Sequence, residues 1–271
     1  MSIRLLKSSF ALLVFLLIPG TGYSRSRETG FLDRTLILGS AIYRYQVYVP
    51  IDFSPSHKWP VILFLHGSGA RGQDGLLETT TGLGDAIRRN RDRFDFIAVF
   101  PQCNGDNFWF GQMEILALKM LDRTIKEFNG DADRVYLTGM SMGGRGVWYF
   151  AARNPNKFAA IVPVCGGVSL PDDFILPREA EMIIRTANPY ETIARRISRT
   201  PIWVFHGSDD TTVPVTESRK MVAALKAEKG SVRYTEYAGV AHQSWDKAYA
   251  EPELYSWLLS HRLSQIRLSN H

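Results

Sequence analysis

Residues 135–148 read V-Y-L-T-G-M-S-M-G-G-R-G-V-W, and this stretch decides the fold. An apolar run over 135–138 leads directly into Ser141, which has Gly139 and Gly143 two residues away on either side. A segment of small residues compatible with a helix follows. The order of strand, sharp turn and helix predicts that Ser141 lies at the apex of the turn in a strained backbone conformation. Glycines are needed at 139 and 143 because a Cβ atom there would collide with the neighbouring strand or the helix start.

A serine in the pattern G-x-S-x-G, between a strand and a helix, is typical of a nucleophile. The predicted helix begins at Met142, and its first N–H groups have no partner within the helix. Those groups point to the place where a carbonyl oxygen would become an oxyanion. Ser141 is therefore the candidate nucleophile, and the backbone N–H of Met142 is the first candidate oxyanion donor.

Apolar runs and helical patterns alternate along the rest of the chain. The apolar runs are short and nearly continuous, which indicates strands that are covered on both faces; they lie at 61–65, 96–100, 135–137, 159–164, 202–205 and 232–237. Helical patterns lie between most of them, at 84–91, 112–128, 143–153 and 215–228, with a last helix expected over 251–263. This alternation predicts an α/β fold with a mostly parallel, doubly wound sheet. We expect about eight strands, including an antiparallel N-terminal hairpin formed by 36–38 and 42–49.

The length of 271 residues is sufficient for one large domain, which we expect over residues 30–265. Residues 166–200 are rich in Pro, Asp and charged side chains, with helix-like pieces around 178–185 and 190–197. Open α/β sheets bind ligands at the carboxyl ends of their strands. We therefore expect this segment to form a small cap over the site; the alternative is an ordinary surface excursion.

The first 24 residues have the pattern of a signal peptide. Arg4 and Lys7 precede an uninterrupted apolar stretch over 10–18, which Pro19 and Gly20 end. This stretch is too short for a permanent membrane span, which needs about 20 residues. We expect export to a periplasm or to the outside and no stable membrane insertion after cleavage; an uncleaved anchor is the alternative.

Charge and cysteine content exclude some classes of function. The net charge of +5 is a mild excess without a basic stripe, so nucleic-acid binding is not expected. Cys103 and Cys165 are the two cysteines, and each ends a predicted strand. Two other strands should separate them, a distance of roughly 14 Å, whereas bridged Cα atoms lie within roughly 7 Å. We expect two free, buried thiols.

A nucleophilic serine needs a base, and the base needs an acid that holds its orientation. In this kind of fold the acid and then the histidine follow the serine along the chain. Of the six histidines, His66 and His206 each end a strand and precede a glycine, a placement typical of a structural hydrogen bond. His242 lies after the last strand in A-G-V-A-H-Q-S-W and is the candidate base.

Two further parts of the site come from the loops after other strands. The loop after 202–205 reads H-G-S-D-D-T-T-V-P, so Asp209 and Asp210 are both candidates for the acid, and only one of two adjacent side chains can reach the imidazole. The loop after 61–65 reads H-G-S-G-A, and its amides can face a substrate. Ser68, and after it Gly69, are the expected second oxyanion donors; the alternative is a plain glycine turn.

With these residues assigned, the chain resembles an α/β-hydrolase of the broad esterase group that includes polyhydroxybutyrate-depolymerase-like, feruloyl-esterase-like and dienelactone-hydrolase-like proteins and bacterial "predicted peptidases". The resemblance runs from about residue 43 to 259. It rests on V-I-L-F-L-H-G-S-G-A-R-G (61–72), V-F-P-Q-C (99–103), Y-L-T-G-M-S-M-G-G-R-G-V-W (136–148), I-V-P-V-C-G-G (161–167), P-I-W-V-F-H-G-S-D-D-T-T-V-P (201–214) and G-V-A-H-Q-S-W (239–245). The acid motif of the family is similar to H-G-x-x-D-x-x-V-P, which aligns with Asp210. Its terminal G-x-x-H motif matches His242.

The resemblance implies a carboxylic ester hydrolase that acts on a small-molecule or carbohydrate-linked ester with a small acyl, phenolic or sugar-linked group. A serine peptidase on the same scaffold and a non-catalytic binding protein are the alternatives. Trp109 and Phe110, after the strand that ends at Cys103, could line an acyl or aromatic pocket; such a cluster is equally typical of core packing. No metal or organic cofactor is implied, since the sequence has no H-E-x-x-H, no Cys/His cluster and no G-x-G-x-x-G opening the first crossover.

Overall fold

The structure is a computed structural model that describes residues 28–268. The predicted signal peptide over residues 1–24 lies outside the described residues. None of the helices between residues 28 and 268 combines the length and the apolar character that a bilayer crossing requires.

Within the described residues, eight strands form one sheet. They are β1 (Gly30–Leu38), β2 (Ala41–Val49), β3 (Trp59–Leu65), β4 (Ile97–Pro101), β5 (Gly130–Met140), β6 (Ala160–Val164), β7 (Ile202–Gly207) and β8 (Val232–Tyr237). The strand order is β1-β2-β4-β3-β5-β6-β7-β8. β2 is antiparallel to β1 and to β4, and the remaining pairs are parallel. The predicted mostly parallel sheet with an antiparallel N-terminal hairpin is confirmed.

Helices connect the parallel strands across both faces of the sheet. In the same range they are α1 (Leu83–Arg89), α2 (Gln112–Glu127), α3 (Met142–Arg153), α4 (Arg178–Ile184), α5 (Pro189–Ile197), α6 (Thr216–Ala227), α7 (Trp245–Ala250), α8 (Leu254–Leu259) and α9 (Leu263–Leu268). The helices predicted over 84–91, 112–128, 143–153 and 215–228 are confirmed to within two residues at each end. Because β3, β5, β7 and β8 run in the same direction, the loops that follow them meet at one edge of the sheet.

The single last helix predicted over 251–263 is wrong, because the chain there forms α8 and α9 as separate helices. Glu251 has an extended ψ of 123°, as expected for the residue before Pro252. A second break follows Leu259. The amide and hydroxyl of Ser264 both bind the carboxylate of Asp133, at 2.7 and 2.8 Å, which attaches the start of α9 to β5. This long-range contact has no signal in the local sequence.

The core has two layers, one on each face of the sheet. All seven residues of β3 are buried, with Val61, Leu63 and Leu65 in one layer and Ile62 and Phe64 in the other. Successive side chains of a strand point to opposite faces. A strand covered by helices on both sides is therefore apolar at every position, which explains the continuous apolar runs.

Cys103 and Cys165 are both buried and free. They follow β4 and β6, and β3 and β5 lie between those strands, as predicted. Burial raises the pKa of each thiol to about 12. Both side chains therefore remain protonated at neutral pH.

Residues 166–200 contain α4 and α5, which pack against α3 and α6. The start of the segment is attached to α6 through Glu217. Its carboxylate accepts hydrogen bonds from the amides of Val168 (2.6 Å) and Ser169 (2.9 Å) and from the hydroxyl of Tyr190 (2.7 Å). The first part of the segment thus lies in a defined position at the carboxyl edge of the sheet.

Candidate active site

The backbone turns sharply at Ser141, between the end of β5 and the start of α3. Ser141 has φ 55° and ψ −117°, a conformation that L-residues rarely adopt and that costs on the order of 1–3 kcal/mol. Two backbone hydrogen bonds hold it there. The Ser141 amide donates to the Val164 carbonyl (2.9 Å), and the Ser141 carbonyl accepts from the Arg145 amide (3.0 Å). The surrounding structure therefore maintains the strained turn predicted from the sequence.

The glycines on either side of Ser141 allow the strand, the helix and β3 to approach closely. A Cβ atom on Gly139 would lie 2.7 Å from the carbonyl oxygen of Leu65. A Cβ atom on Gly143 would collide with the same oxygen. Both contacts are with backbone atoms, which cannot rotate away as a side chain could. The steric reason expected for glycine at 139 and 143 therefore holds.

The structure brings Ser141, His242 and Asp210 together from three separate loops. Ser141 Oγ lies 2.8 Å from His242 Nε2, and His242 Nδ1 lies 2.7 Å from Asp210 Oδ2. Because a carboxylate only accepts, Nδ1 carries the proton and Nε2 of the neutral ring accepts from the serine hydroxyl. The Asp210 side chain is fully buried, whereas the His242 side chain is 19% exposed. The arrangement places an imidazole against the hydroxyl and a carboxylate against the imidazole.

Of the two adjacent aspartates, Asp210 reaches the histidine and Asp209 does not. Asp209 lies in the exposed turn, where its carboxylate accepts from the hydroxyl of Ser208 at 2.6 Å. The other Asp210 oxygen, Oδ1, accepts from the amides of Thr212 and Val213, each at 2.9 Å. These two amides fold the loop around the carboxylate and direct it inward.

The candidate oxyanion donors lie beside Ser141. Within the described residues, neither the Met142 amide nor the Ser68 amide has a hydrogen-bond acceptor. Ser68 and Gly69 line the cavity at Ser141. Gly67 packs against the turn, since a Cβ atom on it would lie 3.6 Å from Ser141 Cβ. The amides of this loop are therefore free to bind an oxyanion that forms at the serine.

His66 orients the loop that carries Ser68. Its Nε2 accepts from the Cys103 amide (2.9 Å), so Nδ1 carries the proton and donates to the Gly67 carbonyl (2.7 Å). In a trans peptide the C=O and the following N–H point in opposite directions. Holding the Gly67 oxygen therefore directs the Ser68 N–H away from His66. Burial lowers the pKa of His66 to about 4, so the ring stays neutral at physiological pH.

Trp109 belongs to the core rather than to a substrate pocket. The indole is 1% exposed, and its Nε1 donates to the His66 carbonyl at 3.0 Å. The ring also packs edge-on against His66, with centroids 5.0 Å apart. Trp109 thus supports the loop after β3 from below. Sequence reasoning had no means to separate it from Phe110, because the two residues are adjacent in the same aromatic run.

A cavity of about 230 Å³ opens over Ser141. Three of its lining residues, Thr80, Thr81 and Trp245, were not predicted from the sequence. Trp245 packs edge-on against the imidazole of His242, with centroids 5.5 Å apart. Its position directly after A-H-Q-S was the one available signal. No residue of 166–200 lines this cavity.

A second cavity, of about 580 Å³, lies at the same edge of the sheet, between the loop after β4 and residues 171–177. We call it the aromatic groove, and its lining includes Phe108, Phe110 and Phe174. The rings of Phe108 and Phe174 lie 4.7 Å apart across it. The guanidinium of Arg71 lies 4.4 Å over the Phe108 ring, which connects the groove to the loop of the candidate oxyanion donors.

Among the described residues, one cluster has the composition of a metal site: Cys165, Asp210 and His242, with ligand atoms within 4.8 Å of one another. The donor set does not fit a metal ion. Asp210 Oδ2 and His242 Nδ1 are hydrogen-bonded to each other at 2.7 Å, and the thiol of Cys165 is protonated because burial raises its pKa to about 12. The cluster is better described as a hydrogen-bonded pair, Asp210 and His242, with a buried thiol nearby.

Glu78 is buried under the loop that places Thr80 and Thr81 at the cavity, and within the described residues neither carboxylate oxygen has a hydrogen-bond partner. Burial raises its pKa from 4.5 to about 8. Between those two pH values the native state holds a proton that the unfolded state has lost. The free energy of unfolding should therefore fall as pH rises from about 4.5 to 8.

We expect Glu78→Gln to remove at least about 1 kcal/mol of this pH-dependent loss of stability. The measurement is urea unfolding of both proteins at pH 5 and at pH 8.5. The wild type should lose more stability between the two pH values than the variant. Equal losses in the two proteins would show that Glu78 does not titrate with a raised pKa.

Comparison with known proteins agrees with the fold. The profile of the prolyl oligopeptidase family matches residues 117–264, more than half of the chain. A thermostable esterase of known structure is 31% identical, with a TM-score of 0.72, and the match covers 86% of this chain and 63% of that one. A ferulic acid esterase at 18% identity and a TM-score of 0.64 has the same fold.

The matches to curated relatives cover only part of those proteins. An uncharacterized secreted protein of Arthroderma benhamiae is 26% identical over 81% of this chain, and acetylxylan esterase A of Emericella nidulans is 32% identical over 35% of it. The matches span only 26% and 36% of those relatives.

The profile match covers the turn at Ser141 and the loops of Asp210 and His242. With its eight-stranded α/β-hydrolase sheet, the chain belongs to the prolyl oligopeptidase family.

Proposed function

We propose that the protein is a serine esterase that cleaves carboxylic esters through an acyl-enzyme. Ser141 Oγ attacks the carbonyl carbon while its proton passes to His242 Nε2, and Asp210 stabilises the imidazolium through Nδ1. The imidazolium then protonates the leaving alkoxide, and the alcohol departs. A water molecule, deprotonated by the same nitrogen, attacks the acyl-enzyme and releases the acid and Ser141.

The observation that carries this proposal is the unbroken series of hydrogen bonds from Ser141 Oγ through His242 to Asp210, at 2.8 and 2.7 Å. Free amides at Met142 and Ser68 would stabilise the tetrahedral oxyanion. The esterases among the related proteins, one of them 31% identical, also support ester hydrolysis. A non-catalytic binding protein would have no need of the strained turn at Ser141.

Family membership is the specific observation that favours a second candidate, a serine peptidase on the same scaffold. Both reactions use the same nucleophile, base and oxyanion donors. They differ at the leaving group, since an amine must be protonated as it leaves, whereas a phenolate leaves readily. A comparison of activated esters with peptide anilides therefore separates the two.

The test of the proposed function is a substrate panel with the purified protein: p-nitrophenyl acetate, p-nitrophenyl butyrate, an acetylated xylan, a feruloyl ester and a peptide p-nitroanilide. We expect turnover of the esters, with kcat/KM for the acetate at least about 100-fold above that for the anilide. Preference for the anilide would support the peptidase. Absence of turnover in the whole panel would contradict both.

We further propose that the aromatic groove binds the sugar or phenolic part of the substrate. It lies at the carboxyl edge of the sheet, next to the loop of Ser68, and combines aromatic rings with the polar groups of Asn107, Gln112 and Asp173. Such a mixture suits a sugar or a phenolic ring, which has both apolar faces and hydroxyl groups. In this proposal, residues 171–177 act as the cap-like wall of the groove.

Phe108→Ala should lower kcat/KM for the feruloyl ester and the acetylated xylan about 10-fold, since it removes one aromatic wall of the groove. The rate with ethyl acetate, which has neither a sugar nor a phenolic ring, should stay within about twofold. Ile37→Ala, an exposed residue of the N-terminal hairpin, is the matched control. An equal loss on all substrates would instead indicate damage to the loop after β3, which Phe108 contacts through Arg71.

The proposal also includes export, directed by the predicted leader over residues 1–24. The secreted relative of Arthroderma benhamiae supports it. Mass spectrometry of the protein made in a host with a secretion system would check it, because cleavage removes a defined N-terminal mass.

A further inference from the structure

His206 makes contacts that the mechanism above does not use. It lies in β7, four residues before Asp210, and its side chain is fully buried. Nδ1 lies 2.7 Å from the hydroxyl of Ser218 in α6. Nε2 lies 3.0 Å from Asp210 Oδ2 and 2.9 Å from the carbonyl oxygen of Val213. A second imidazole is thus bound to the carboxylate that holds His242.

The hydrogens of this group can be placed from the acceptors alone. His206 Nε2 faces two oxygens that only accept, a carboxylate and a carbonyl, so Nε2 must carry a hydrogen and donate. In the neutral ring Nδ1 then accepts, and the hydroxyl of Ser218 donates to it. Two series of hydrogen bonds therefore end at Asp210 Oδ2, one from Ser141 through His242 and one from Ser218 through His206.

These contacts restrict the carboxylate of Asp210. Oδ1 accepts from two loop amides, and Oδ2 accepts from the two imidazoles. Rotation of the carboxylate about its Cβ–Cγ bond would break at least one of these bonds in a buried place where water cannot replace it. His206 is attached to α6 through Ser218. The position of Oδ2 therefore depends on α6, which lies outside the three loops that carry Ser141, Asp210 and His242.

We propose that His206 is a positioning residue, which fixes Oδ2 of Asp210 in the direction that keeps the His242 imidazole aligned with Ser141, and that Ser218 fixes His206 in turn. The proposal rests on the proposed function, because it assumes that Asp210 and His242 act as acid and base. It concerns the chemical step rather than substrate binding, since His206 is buried and is not among the residues that line the cavity at Ser141.

The test uses His206→Phe, which keeps a ring but donates nothing, and His206→Gln, whose amide can still donate toward Asp210. Ser218→Ala is the third variant. We expect His206→Phe to lower kcat for p-nitrophenyl acetate about 10- to 100-fold with KM changed less than about threefold, as for loss of a hydrogen bond to a charged group. His206→Gln should recover most of the activity, and Ser218→Ala should lose about two- to fivefold.

A double-mutant cycle with Asp210→Ala separates positioning from a general effect on folding. If His206 acts through Asp210, His206→Phe should change kcat less than about threefold once the carboxylate is absent. The same 10- to 100-fold loss in both backgrounds would overturn the proposal, as would wild-type kcat in a folded His206→Phe protein. Near-UV circular dichroism and Tm identify a variant that has lost its fold. If His206→Phe is such a variant, the kcat values expected above for His206→Gln and Ser218→Ala become the test of the proposal.

Failure of the proposed function gives a different result. The rate at which a fluorophosphonate labels Ser141 reports the reactivity of the nucleophile without any ester substrate. If the wild type hydrolyses no ester but is labelled, the labelling rates of the same variants test the His206 proposal. Labelling that is equally fast in the wild type and in folded His206→Phe would overturn it.

Discussion

Ser141→Ala is expected to lower kcat for p-nitrophenyl acetate by about 10³- to 10⁶-fold, because it removes the oxygen that forms the proposed acyl-enzyme. The fold should persist. Ser141 Oγ faces the cavity, so water can replace its hydrogen bond with His242 Nε2. We therefore expect Tm within a few degrees of the wild type, roughly a change below 1 kcal/mol. Steady-state kinetics and thermal unfolding measure the two effects.

The matched control for this prediction is Ser256→Ala, which removes an exposed hydroxyl on α8 that donates to the Glu253 carbonyl. It should keep wild-type kinetics. Ester hydrolysis by Ser141→Ala at a rate comparable to that of the wild type would show that another group is the nucleophile and would remove the basis of the proposed mechanism.

Gly143→Ala should have the largest effect on the structure of the site. The added Cβ collides with the carbonyl oxygen of Leu65 and lies 2.8 Å from that of His66. Because both are backbone atoms at the end of β3, the strand and the start of α3 must separate. We expect the free energy of unfolding to fall by about 3–5 kcal/mol, the range for overpacking and backbone strain combined. Urea unfolding measures this.

Activity should fall as well in Gly143→Ala, by more than about 100-fold. The same displacement moves the loop of Ser68 away from Ser141, so the oxyanion would lose at least one donor. Gly69→Ala is the control for stability: a Cβ atom there meets nothing within 4 Å, and we expect a change below about 1 kcal/mol. A Gly143→Ala protein as stable as the wild type would contradict the steric explanation of the G-x-S-x-G pattern in this chain.

Local patterns predicted the elements of the fold well, because each pattern reports its own environment. Continuous apolar residues at 61–65 indicate a strand covered on both faces, and all seven residues of β3 are buried. The start of α3 at Met142 follows from the glycine spacing around Ser141. The prediction of a single last helix was wrong because the break between α8 and α9 depends on the contact of Ser264 with Asp133, which is 131 residues away in the chain.

In the candidate site too, local patterns predicted some residues and missed others. Its three candidate residues follow from the loops in which they occur, whereas the residues around them do not. Trp109 and Phe110 are neighbours in one aromatic run, yet Trp109 supports His66 from the core and Phe110 lies along the aromatic groove. Thr80 and Thr81 reach the cavity from a loop that has no motif. Burial and direction of a side chain depend on what packs against it, and a single sequence does not contain that information.

The order of apolar runs, turns and glycines was enough to establish an α/β sheet with Ser141 at a strained turn, since backbone sterics and the pairing of strand with helix act over a few residues. The distances between Ser141, Asp210 and His242 were decided by the tertiary structure. The serine and the histidine are 101 residues apart, and they lie within 2.8 Å because β5, β7 and β8 run parallel and end at one edge. The acid motif in the sequence pointed to Asp210, but the second imidazole on its carboxylate depended on which oxygen each buried donor could reach. Only packing in three dimensions decides such distances, because a hydrogen bond requires a position within a few tenths of an ångström.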